Sequence, residues 1–258
     1  PASFRGRRWL LTVILIPLVL LAASAAQAQL PAVDPEYEGP PVGLLDGRLG
    51  EHPRLFFDAA ELAAIDAYHD SAAGQTLRDR LSSQAGQSYN LISNVVTTES
   101  ESKKIGIRVL PTLALHYRLS DSQISFERAV EVMEFLMDQP YWSGGGEVDC
   151  GMPAGNLMTG AAFAYDLLHD DLEPEFREAF RERLWHQARS MYHLGYLEKN
   201  PANTAAYWQQ DPQNNHRFHR FGGLVNAVIV AYTGDPSEDW LLARTIEEAE
   251  FVKKWLPP

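Results

Sequence analysis

Apolar residues recur at intervals of three and four along most of the chain, and no stretch alternates apolar and polar with a period of two. That spacing predicts helices. Asp58-x-x-Glu61 has the spacing of a capping box, and a helix is expected from there to about Tyr68. A second amphipathic stretch covers about Gly74–Tyr89, and a third runs from about Ser102 to Tyr117. Pro111 lies inside the third and is expected to kink it or split it in two, because proline lacks a backbone N–H and crowds the preceding turn. From Ser122 to about Met137, Ile124, Ala129, Val132, Met133, Leu136 and Met137 recur at helical spacing. Gly155–His169 is apolar with many small residues, as helices buried between others often are. Glu173-Pro174-Glu175 opens another helix, with proline and acids in the turn that favours both, and it continues to about Tyr192. After a polar segment from Glu198 to Gln213, a helix is expected from about Asn215 to Tyr232. Gly234-Asp235-Pro236 then turns the chain into a last helix ending near Trp255.

The expected fold is therefore all-α, a succession of antiparallel helix pairs joined by short turns. Periodicity alone leaves solenoid, bundle and closed α/α barrel open. Two regions break the rhythm. Tyr141-Trp142-Ser143 leads into Gly144-Gly145-Gly146, a loop able to approach a ligand closely. Residues 29–50 are rich in proline, glycine and acids and are read as a linker ahead of a helical domain over 51–258. The chain opens on Pro1 and stops at Pro258 just after an apolar helix, so that domain is expected to be incomplete at its C-terminus.

Arg5, Arg7 and Arg8 precede an apolar stretch from Trp9 to about Ala23, and Ala26-Gln27-Ala28 supplies a small-x-small site. This three-part layout is that of a secretory signal peptide over 1–28, with cleavage after Ala28. The apolar run falls short of the roughly 20 residues a bilayer requires. A periplasmic or secreted location follows, with no membrane association once the signal is removed.

Export changes the charge picture. Residues 1–28 hold three of the 22 basic residues and none of the 34 acidic ones, so removal takes the net charge from −12 to −15. An acidic surface argues against nucleic acid and anionic membranes as partners. It leaves room for an acidic sugar polymer, because a local basic pocket overrides net charge. The single cysteine, Cys150, forms no internal disulfide and is read as a packed small residue.

Candidate chemistry concentrates in one place. Tyr207 to Arg220 pack amides, two histidines, two arginines and aromatic rings into 14 residues, at the point where a loop enters an apolar helix. The free N–H groups of a helix start, with Asn214 and Asn215, favour an anion. His216 supplies an imidazole, the side-chain type best suited to proton transfer near neutral pH. Arg217 and Arg220 are donors for carboxylate or sulfate, and Trp208 and Tyr207 suit the flat face of a sugar. His216 and His219 stand three apart, a spacing compatible with a metal, but no third ligand is nearby and no cofactor is called for.

His52-Pro53-Arg54-Leu55-Phe56-Phe57, Ala164-Tyr165-Asp166-Leu167-Leu168 and Asn214-Asn215-His216 together resemble the heparinase II/III-like polysaccharide lyases, a group that includes alginate and oligoalginate lyases. The resemblance spans about residue 50 to the end. It implies an incomplete (α/α) toroid, followed in longer members by β-sandwich domains. It also implies cleavage of uronate-containing chains, such as alginate or a glycosaminoglycan, by β-elimination. On that motif Asn215 matches the carboxylate-neutralising amide and His216 the catalytic imidazole. Asn214, Arg217, His219, Arg220, Trp208 and Tyr207 fall to substrate binding. The group's catalytic tyrosine and a further histidine fall beyond Pro258, so the fragment alone is expected to be inactive. Two other readings stay open: a toroid glycoside hydrolase, for which Glu147 and Asp149 are the visible carboxylates, and a helical carbohydrate-binding domain without catalysis.

Overall fold

The computed structural model describes residues 34, 38–39, 42–45, 47–88, 99–142, 151–194 and 215–254. Among these residues all regular structure is helical and there is no strand, so the all-α expectation holds. The helices are α1 (Ala59–Asp70), α2 (Gln75–Ser88), α3 (Glu99–Lys103), α4 (Leu110–Ser120), α5 (Gln123–Asp138), α6 (Met152–Leu168), α7 (Pro174–Tyr192), α8 (Asn215–Ala231) and α9 (Asp239–Lys253). Residues 1–28, read as a signal peptide, the glycine loop with Glu147, Asp149 and Cys150, the polar segment 198–213 and Trp255 lie outside the described residues.

Local chemistry explains most boundaries. At the head of α1, Asp58 accepts from the Glu61 backbone N–H at 2.8 Å and Glu61 accepts from the Asp58 N–H at 3.0 Å, the reciprocal capping box that the sequence predicts. Asp121, in the left-handed region at φ 50°, turns α4 into α5. Helix α6 starts at Met152, three residues before the expected position, because Pro153 sits in its first turn where no N–H is required.

Of the two outcomes expected at Pro111, the split does not occur. Residues Glu99 to Ser120 run as one helical path, and the proline neither breaks it nor divides it into two separate rods. A π-helical segment, Lys104–Val109, precedes the proline, and the Leu110 N–H reaches back five residues to Ile105 O. The wider π turn leaves Pro111 within the first turn of α4, where its missing donor costs little.

Helix α6 is the central element, packing on the π segment, α4, α7 and α8. Its buried residues cover nearly its whole circumference, among them Leu157, Met158, Ala161, Ala164 and Tyr165. Two glycine contacts hold its neighbours close. A Cβ on Gly160 would lie 1.9 Å from the carbonyl oxygen of Gly106 in the π segment, and one on Gly223 of α8 would lie 2.4 Å from Gly155 O. Backbones meet directly at both places. Gly160→Ala is therefore expected to cost about 2–3 kcal/mol by overpacking. Gly222→Ala, beside Gly223 in α8 but with open space around it, is expected to be neutral or stabilising by up to about 1 kcal/mol. Urea-denaturation midpoints of the two variants compare them directly, and equal shifts would argue against close packing at Gly160.

The segment before α1 is fastened to the far ends of two core helices. Asp166 of α6 accepts from His52 Nδ1 at 2.6 Å, from the Arg54 N–H through both oxygens and from the Leu55 N–H at 2.8 Å. The Arg54 guanidinium donates to Val230 O at 2.9 Å and Tyr232 O at 2.7 Å, carbonyls that the end of α8 leaves without helical partners. The His52 ring stacks on His169 with centroids 3.8 Å apart. Further upstream, within the stretch read as a linker, Leu45 is buried in the core. Asp34 in the same stretch accepts from Arg189 and from His193 at the end of α7.

Candidate functional site at the head of α8

Helix α8 is built from a polar first turn and an apolar remainder. Leu224, Ala227, Val228 and Val230 are buried and anchor it. Its first N–H groups have no acceptors within the helix, as at any helix start. Of the residues expected to form the site, Asn215, His216, Arg217, His219 and Arg220 are described, whereas Tyr207, Trp208 and Asn214 lie outside the described residues.

The described five divide by face. Successive residues turn by about 100°, so Arg217 and Arg220 share the buried side with Phe221, Leu224 and Val228. Arg217 is 1% exposed, forms an ion pair with Glu248 of α9 and lies over the Phe251 ring at 4.8 Å. The sequence suggests open cations ready for a carboxylate. Instead both guanidinium groups turn inward, and Arg217 neutralises Glu248, an acid 31 residues away that no local pattern connects to it. Asn215 is exposed, and His216 and His219 are half-buried. The two histidines share a flank of α8 with Gly223, the flank that meets α6.

At that contact the structure supplies a residue that sequence reasoning missed. Asn156 of α6, 1% exposed, places Oδ1 3.1 Å from His219 Nδ1. The close approach of Gly155 and Gly223 brings the two helices near enough for this bond. Among the described residues the buried amide nitrogen of Asn156 has no hydrogen-bond partner. A buried donor in that condition costs about 1–3 kcal/mol. The clue in the sequence was an amide inside an otherwise apolar, small-residue helix, a place where carboxamides are disfavoured.

Other polar side chains are accounted for elsewhere. On α7, Arg183 donates to Gln139 O at 2.8 Å and lies over Trp142 at 5.2 Å. Burial, reinforced by Arg183 and Arg189, pushes His186 down to about 4, so it is neutral near pH 7. Burial likewise raises the Tyr165 hydroxyl to about 12, so it stays protonated near pH 7. Tyr232, at the opposite end of α8, donates to Asp239. Sixteen residues of helix separate it from His216, about 24 Å. Among the described residues, Asp66, His69 and Asp70 on α1 have the spacing of metal ligands, and neither His216 nor His219 belongs to such a group. No described helix is long and apolar enough to cross a membrane. Compared with models of known protein families, the chain matches none.

Proposed function

We propose that this chain is the helical portion of an exported lyase that cleaves uronate-containing acidic polysaccharide by β-elimination, with its helix pairs arranged as an incomplete (α/α) toroid. The observation that carries the reading is the first part of α8. There an exposed amide, Asn215, adjoins the N–H groups of the helix start, while His216 and His219 stand together on the flank beside α6.

Each group has a defined task in such a reaction. The proton beside a uronate carboxylate is only weakly acidic. The Asn215 amide and the helix N-terminus stabilise the negative charge that develops on the carboxylate as the proton leaves. His216 accepts that proton. The C–H electron pair becomes the new carbon–carbon double bond, the bond to the glycosidic oxygen breaks, and that oxygen takes a proton from an acid. In the lyases that the motifs resemble, the acid is commonly a tyrosine beyond the span of this chain. Neither Tyr165, buried in the core, nor Tyr232, at the far end of α8, can serve.

The test is a product assay. The protein expressed from its complete reading frame is incubated with alginate, heparin, chondroitin and hyaluronan. Absorbance of the unsaturated uronate is then followed. One of the four polymers is expected to give that absorbance. New reducing ends without it would mean hydrolysis and would overturn the reading.

A further inference from the structure

The bond between Asn156 and His219 determines more than the orientation of a ring. An imidazole whose Nδ1 faces a carbonyl oxygen carries its proton on that nitrogen, which leaves the other nitrogen as an acceptor. Asn156 Oδ1 lies 3.1 Å from His219 Nδ1 on the buried side of the ring. His219 is half-buried, and Nε2 is the ring nitrogen that the bond to Asn156 leaves over. The amide pays for this with a buried nitrogen that has no partner among the described residues, an arrangement that packing alone does not explain, since leucine would fill the same space.

We infer that Asn156 is a positioning residue that holds His219 in the Nδ1–H form, so that His219 Nε2 accepts a hydrogen bond from a sugar hydroxyl rather than binding the uronate carboxylate. The hydroxyl contact rests on the lyase reading, whereas the tautomer does not. The division of labour is chemical. A carboxylate needs donors, and Asn215 with the helix N-terminus provides them. A lone pair beside the carboxylate would repel it, and the same lone pair suits a hydroxyl proton.

The experiment has two arms. In the first, nitrogen NMR of the histidine-labelled chain, with the resonance assigned by His219→Gln, is expected to show a protonated Nδ1 and a bare Nε2 for His219. Asn156→Leu is expected to shift that ring towards the Nε2–H form, with the melting temperature unchanged or higher. A bare Nδ1 in the parent overturns the proposal, and that measurement requires no variant of Asn156 to fold. An Asn156→Leu ring with unaltered tautomer overturns it as well. So does a steep loss of melting temperature, which marks Asn156 as structural. In the second arm, Asn156→Leu in the complete protein is expected to raise KM about tenfold, the loss of one hydrogen bond, with kcat within about threefold. An unchanged KM despite the altered tautomer overturns the hydroxyl contact. If the parent gives no unsaturated product from any polymer, the lyase reading falls and takes the hydroxyl contact with it. The tautomer result is judged on the first arm alone.

Discussion

Asp166→Ala is expected to lower stability by about 4 kcal/mol. The carboxylate is 3% exposed and serves the His52 ring and two backbone N–H groups at once. Its removal strands the N–H groups of Arg54 and Leu55 with no acceptor. It also removes the negative charge that most supports the Arg54 guanidinium, whose pKa burial pulls down and Asp166 holds up. An unfolding transition in a chain of this size would move down by about 8–16 °C. Circular dichroism melts of the parent, Asp166→Ala and Asp166→Asn provide the measurement. The asparagine variant keeps one acceptor oxygen and is expected to lose about half as much. A melt of Asp166→Ala within 2 °C of the parent, taking about 2–4 °C per kcal/mol as the scale, would show that residues 52–55 are not fastened to α6 as described.

His216→Ala is expected to abolish elimination, with a fall in kcat of about a thousandfold or more and an unaltered melting temperature. General base catalysis contributes about a hundred- to ten-thousandfold, and His216 is the described imidazole nearest the exposed Asn215 in the chain. The fold has little to lose, because the ring is half-buried and the anchor of α8 lies in Leu224, Ala227 and Val228. The complete protein is assayed for unsaturated uronate at saturating substrate, so that kcat is read separately from KM. A variant that keeps a tenth of the parental rate would remove His216 from the mechanism. Arg217→Ala offers a contrast. It leaves Glu248 buried without its counter-charge, so its main effect is expected on stability.

The helices were legible because their signals are local. The capping box at Asp58 and Glu61, Pro174 in the first turn of α7, and the apolar spacing of Val132, Met133 and Leu136 each act within a turn or two. Pro111 was legible as a disturbance but not as a π turn, a segment whose Gly106 lies against Gly160 of another helix. His52, Arg54 and Asp166 stood out as parts of a pattern. Their joint role, clamping a segment onto the ends of α6 and α8, spans more than a hundred residues and has no trace in any window of the chain.

The candidate site divides along the same line. By itself the sequence determined that polar chemistry gathers at the start of an apolar helix, because a helix start exposes N–H groups wherever it occurs. Which side chains face a ligand was decided by tertiary structure. Arg217 and Arg220 read as cations for a substrate, yet the rotation of α8 turns them into the core and gives Arg217 to Glu248. His219 gained a fixed partner in Asn156 because two glycines let α6 and α8 touch. Helical periodicity specifies the angle between residues on one helix. It leaves the rotation of that helix against its neighbours to packing, and packing determined which of these groups remain open.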